Sequence, residues 1–229
     1  VVGEYYKYYG NLVPGAVSAD MALVSINGYD NTTRRRNFFN QTDVTGTANT
    51  GILRHTLLVG TEVGRQWTDN FRQTAYFNNS NATVINVPFG DPLVRSPFAF
   101  RQSASDANNH VNANIFATYV QDQVEITRWL QVVGGVRYDY FDLGFQNNRN
   151  GQRLARADHM MAPRAGLILK PMASVSLYSS YSVAYLPSSG DQFSSLTATT
   201  QTLRPEKFTN YEVGAKWDAS RRLSLTSAA

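Results

Sequence analysis

Apolar and polar residues alternate with a period of two along much of this chain. From Ser174 to Tyr185 one face reads Val175, Leu177, Ser179, Tyr181, Val183, Tyr185, while the other is mostly serine. From Leu130 the even positions are Leu130, Val132, Gly134, Val136, Tyr138 and Tyr140, and the opposite face carries Gln131, Arg137 and Asp139. From Phe208 to Asp218 the odd positions are Thr209, Tyr211, Val213, Ala215 and Trp217. A strand sends successive side chains to opposite sides, so these segments predict strands with one apolar and one polar face. The expected strands are roughly 20–30, 34–47, 53–70, 110–127, 130–145, 160–170, 174–186, 207–218 and 222–229, about nine in all.

Two kinds of connector separate them. Short ones are Ala48-Asn49-Thr50-Gly51, Thr127-Arg128-Trp129, Lys170-Pro171-Met172 and Asp218-Ala219-Ser220-Arg221. Long ones, rich in Asn, Ser, Gly and Pro, run about 71–110, 146–158 and 186–206. Their alternation puts the tight turns on one rim and the long loops on the other, as in outer-membrane barrels. A soluble sandwich gives no reason for that segregation, and a structureless loop as long as 71–110 is out of place in a compact domain. Trp129 and Trp217 sit beside short turns, and Tyr138, Tyr140, Tyr181 and Tyr185 toward the other strand ends. Two membrane interfaces select aromatics in that arrangement. The fold class expected is all-β, the wall of an antiparallel up-and-down transmembrane β-barrel.

Composition agrees. Charged residues make up 17% of 229 positions, while Tyr (13) and Phe (12) are plentiful, unlike a disordered chain. No apolar run approaches the roughly 18 residues of a transmembrane helix, although strands cross with about 9–11 alternating residues. No signal peptide opens the chain, and its last strand stops at Ser227-Ala228-Ala229 without a terminal aromatic. With an odd strand count, this reads as a piece cut from a longer protein. Cysteine is absent, which excludes disulfides and thiolate metal sites. The net charge of +4 is scattered. Its one tight run, Arg34-Arg35-Arg36, reads as a solvated loop or interface anchor rather than a nucleic-acid patch.

Catalytic and metal chemistry is thin. His55, His110 and His159 lack the local spacings of a metal site. No phosphate loop, nucleophile elbow or dinucleotide fingerprint appears. Asp139 and Asp142 with Asn147, Asn148 and Asn150 miss the EF-hand spacing and read as a solvated loop. One pattern recurs: Gly135-Val136-Arg137-Tyr138-Asp139 and Gly214-Ala215-Lys216-Trp217-Asp218, with the aromatic expected outward and the opposite charges paired inward.

Several stretches resemble TonB-dependent receptors. They are Tyr119-Val120-Gln121-Asp122-Gln123 with Trp129-Leu130 and the first recurring pattern, and above all Leu203 to Asp218, a Leu-x-Pro-Glu entry followed by Asn-Tyr-Glu-x-Gly-x-Lys. Asn40-Gln41-Thr42-Asp43-Val44, His55 to Glu62 and Asn70-Phe71-Arg72 are similar to the ferric catecholate branch. The resemblance covers most of the chain from about residue 35. It implies that residues 1–229 are part of a receptor barrel of about 22 strands, with the plug domain and C-terminal strands lying outside them. Such a receptor sits in the outer membrane of a Gram-negative bacterium, surrounded by lipid. It binds a ferric siderophore of catecholate type as cargo, with no resident cofactor, and the TonB complex energises it through the plug. A ferric catecholate is an anionic, aromatic disc that suits arginines and aromatic faces. The candidate ligand residues are accordingly Arg72, Tyr76, Phe77, Phe98, Phe100, Arg101, Tyr185 and Phe193. The rivals are a passive porin with an inward-folded loop, a barrel-embedded hydrolase, and a soluble all-β module that would bury Val175, Leu177, Tyr181 and Val183.

Overall fold

The one-sided polarity of these segments resolves into long antiparallel strands. A computed structural model describes residues 1–187 and 196–229. Its strands are β1 (Val2–Val17), β2 (Leu23–Thr50), β3 (Leu53–Phe77), β4 (Val84–Pro88), β5 (Phe98–Arg101), β6 (Asn108–Thr127), β7 (Leu130–Asn147), β8 (Arg153–Met172), β9 (Val175–Leu186), β10 (Glu206–Ser220) and β11 (Leu223–Ala228). They form one sheet in which each main strand pairs with the next, in the order β1-β2-β3-β6-β7-β8-β9-β10-β11. β4 pairs with the upper end of β2 and β5 with that of β3. The only helical element among the described residues is a 3-10 turn, Thr200–Thr202.

The two faces differ chemically. One, here the outer face, carries Val59, Val120 and Val136 in register across β3, β6 and β7. Val63, Phe116, Met161, Leu167, Leu177, Val213 and Trp217 extend it, all exposed. Burial of these side chains would stabilise a soluble protein, so their exposure marks a lipid-facing belt. On β3 the outward-facing His55 and Arg65 bracket the belt, and the stretch 56–64 between them has about the 9–11 residues a tilted strand needs. The inner face is polar: Gln41, Asp43, Glu62, Tyr119, Arg137 and Asp139 lie on it.

Hydrogen bonds knit that inner face together. Arg137 bonds Glu62 on β3 and Asp139 on its own strand, the latter at 2.8 Å. Tyr138 between them points outward. Lys216 and Asp218 pair more loosely at 3.6 Å, around an exposed Trp217. The recurring pattern thus behaves as expected. A third pair of the same spacing, Arg156–Asp158, was not anticipated.

The turn rim also matches. The links 51–52, 128–129, 173–174 and 221–222 all lie at one end of the sheet, and Gly51 takes the left-handed conformation one of them needs (φ +63). The opposite rim is less uniform than expected. Residues 18–22 and 148–152 are short connections, and much of 71–110 continues as strand in β3, β4 and β5.

Three local expectations need correction. β1 was not anticipated, because tyrosines on both faces (Tyr5 and Tyr9 against Tyr6 and Tyr8) erase the alternation. The break expected near 31–33 does not exist. Asn31, Thr32 and Thr33 pair with β1 on one side and β3 on the other, so Arg34-Arg35-Arg36 is strand, not loop. Asp139 and Asp142 are likewise strand residues, on opposite faces, and cannot share a cation.

Candidate ligand-binding surface

Above the belt, the inner face of β1–β3 gathers cations over aromatic rings. The Arg72 guanidinium lies 4.1 Å from the centre of Tyr29, Arg101 4.1 Å from Tyr76, and Lys7 Nζ 4.6 Å from Tyr9. Tyr9 and Tyr29 meet edge to face at 5.9 Å. Strand register explains the grouping: Tyr29 pairs with Thr74, Asn31 with both Arg72 and Tyr9, and Thr74 with Arg101. Below lies a groove lined by Tyr5, Lys7, Tyr9, Asn31, Thr33, Arg35, Asn37 and Asn70. Arg35 is steadied by a 3.2 Å bond from Nε to Thr68 Oγ1.

A buried carboxylate anchors the rim of this surface. Asp106 accepts from the Thr74 hydroxyl at 3.0 Å and the Ser103 amide at 2.7 Å, and faces Arg72 Nε at 3.5 Å. Arg149 Nη1 donates to the Asp106 carbonyl at 2.9 Å. These bonds tie residues 102–107 to β3 and hold Arg72 while its side chain stays partly exposed. Arg101 is fixed by a 2.7 Å bond from Nη2 to Ser80 O.

The expected ligand residues split by face. Arg72, Tyr76 and Arg101 share the inner wall. Phe77, Phe98 and Phe100 do not: they occupy the outer side of β3 and β5 and pack on one another, with centroids 5.7–5.8 Å apart. Phe77 is fully buried and Phe100 also covers Gly10, so these rings pack loop against strand. Tyr185 is no girdle residue. It packs on an inner apolar cluster of Val111, Ala113, Phe141, Leu143, Met160 and Leu196. Val183 is buried as well, so of the four β9 positions expected to face lipid only Val175, Leu177 and Tyr181 retain exposure. Phe193 lies outside the described residues. Tyr5, Lys7, Tyr9, Tyr29 and Arg35 were missed. Their signal was available in the parity of β2, once Phe38 and Val44 are set outward.

Residues 196–202, ahead of β10, lie against the inner face. Leu196 seats in the inner cluster, Arg156 Nη1 donates to the Gln201 carbonyl at 2.6 Å, and Gln201 Nε2 donates to Ala155 O at 2.8 Å. The three histidines are dispersed: His55 bonds Asp122, His110 bonds Asp69, and His159 bonds the Tyr138 hydroxyl. No group of metal-ligating side chains forms among the described residues.

Known proteins share this architecture. The family model described as TonB dependent receptor-like, beta-barrel matches residues 3–229. The chain is 30% identical over 214 residues to the probable TonB-dependent receptor BfrD of Bordetella pertussis, covering 83% of this chain and 28% of that protein. It is 24% identical over 218 residues to the catecholate siderophore receptor Fiu of Escherichia coli K12, covering 82% and 28%. It therefore spans less than a third of the length of these relatives. Among solved structures, the closed form of Fiu superposes with a TM-score of 0.73 at 22% identity, covering 96% of this chain and 35% of Fiu. The siderophore receptor PiuA of Acinetobacter baumannii superposes at 0.71 and 19%, covering 99% and 40%.

Proposed function

We propose, from the premise that the chain belongs to the TonB-dependent receptor β-barrel family, that it forms part of the outer-membrane wall through which a ferric siderophore of catecholate type is captured and imported. The observation that carries the ligand class is the set of cation–aromatic pairs on the inner wall of β1–β3. A ferric tris-catecholate is anionic and presents flat aromatic rings. Arginines over tyrosines answer both features, and partial burial strengthens the attraction. Catecholate receptors among the relatives support the reading. Leu196 packs on the neighbouring inner wall of β6–β8.

Binding and import test this together. Ferric tris(2,3-dihydroxybenzoate) should quench the tryptophan fluorescence of the full-length receptor, and Arg72→Gln with Arg101→Gln should weaken that binding about tenfold or more. Import into cells should stop when a protonophore collapses the proton-motive force. Uptake indifferent to the protonophore would favour the passive porin, and unchanged binding in the double variant would remove the site.

A further inference from the structure

Just beyond the aromatic edge of the belt, the outer face of β1–β3 turns basic. Phe38 pairs with Arg65, Arg36 with Trp67, and Arg34 with Asp69. Across β1 the same two arginines pair with Glu4 and Tyr6. All of these positions share the parity of Val44 and Val59, so they face away from the lumen and its ligand groove. Arg34, Arg36, Trp67, Asp69 and His110 line one groove.

We propose that this groove holds the phosphate of a phosphorylated glycolipid headgroup in the surrounding leaflet. The inference rests on the outer-membrane placement proposed above. Arg34 and Arg36 reach Glu4 through Nε, at 2.9 and 3.4 Å. Glu4 thereby holds the two guanidinium groups side by side. Their Nη nitrogens have no hydrogen-bond partner among the described residues, and both side chains are more than half exposed (51% and 57%). Two adjacent guanidinium edges match the oxygens of a phosphate monoester, which arginine binds bidentately. Asp69 is occupied by His110 Nδ1 at 2.6 Å, which reduces its repulsion of an anion. Arg65 stacks 4.6 Å from the Trp67 ring, and an indole at this level suits the headgroup layer. The basic character is local: beyond Tyr140 on β7 the outer positions are Asp142 and Gly144. A lipid phosphate, and not a soluble anion, is the occupant because the groove opens where headgroups lie.

The test uses the full-length protein extracted from outer membranes into mild detergent, with retained lipid read by native mass spectrometry. Diphosphorylated lipid A is then added back as the probe. The Arg34→Gln, Arg36→Gln double variant should retain about tenfold less of it than the parent. Arg35→Gln, one position away on the inner face, should retain it fully. Heat-modifiable gel mobility confirms that each variant folds, and should the double variant fail to fold, Arg36→Gln alone reads the same loss. Equal retention in parent and folded variant overturns the proposal. Displacement of the lipid by millimolar inorganic phosphate also overturns it, since the site would then be a soluble-anion site. Absence of the protein from the outer-membrane fraction refutes the placement itself.

Discussion

Tyr119 on β6 lies across Gly60 on β3, its directly paired residue, and its hydroxyl bonds the Asp43 carboxylate on β2. The ring bridges three strands of the inner wall and is buried. A Cβ at residue 60 would overlap both the ring and Asp43, so only glycine lets the tyrosine lie flat. Tyr178 over its paired Gly214, with its hydroxyl donating to Glu212 at 2.6 Å, repeats the arrangement.

Gly60→Ala should therefore destabilise the wall by about 1–3 kcal/mol, through displacement of a packed ring. Gly46→Ala, where an added methyl meets nothing within 4 Å, should not. Unfolding midpoints of the two variants in detergent decide between them. Equal midpoints would mean that Tyr119 simply swings away.

Arg156 and Asp158 should hold the segment after residue 196 against the inner wall. Both side chains are nearly buried, at 11% and 5% exposure, and Arg156 also reaches the Gln201 carbonyl. Arg156→Met strands Asp158 as a buried charge, a change worth about 3–5 kcal/mol in such pairs. Amide exchange at Gln201, Thr202 and Leu203 should accelerate relative to the parent. Unchanged exchange there would show that Leu196 and the Gln201–Ala155 hydrogen bond anchor the segment without Arg156.

Legibility followed polarity. β3 and β6 to β10 alternate strongly because lipid lies on one side and a polar wall on the other, so their faces could be read from residues such as Val136 and Arg137. β1 could not, since Tyr5, Tyr6, Tyr8 and Tyr9 suit either face. Strand continuity through Asn31-Thr32-Thr33 was hidden as well: turn-forming residues are tolerated where both edges are paired. In the candidate site, residue type picked out Arg72, Tyr76 and Arg101, which strand register places together on the inner wall. Residue type alone did not separate them from Phe77, Phe98 and Phe100, which β3 and β5 turn to the outer side and pack on one another. Only pairing between β3 and β5 separates the two groups.

The loop rim should loosen as pH rises. Asp30, above the belt on β2, is 6% exposed, and burial first, then the nearby Asp106 charge, pushes its carboxyl above the usual range. A raised folded-state value favours the protonated form in the native rim. That contribution is full below the unfolded value and lost as pH climbs through the folded one. Exchange at the Gln73 amide, which donates to Asp30, should report this window, and Asp30→Asn should remove the dependence. A flat profile in the parent would contradict the assignment.

The most direct test of the membrane wall is a pair of spin labels on adjacent residues of β7, at Val136→Cys and Arg137→Cys, in the full-length protein reconstituted in lipid. Adjacent side chains must lie on opposite faces, and a one-residue slip would exchange them. Val136 is outward and exposed at 37%, so its label should collide with oxygen dissolved in the bilayer and not with a water-soluble nickel chelate. The label at 137 should behave in the opposite way. Both labels meeting water would mean a soluble sheet, and reversed accessibilities would mean that the polar face, not the apolar one, faces the membrane.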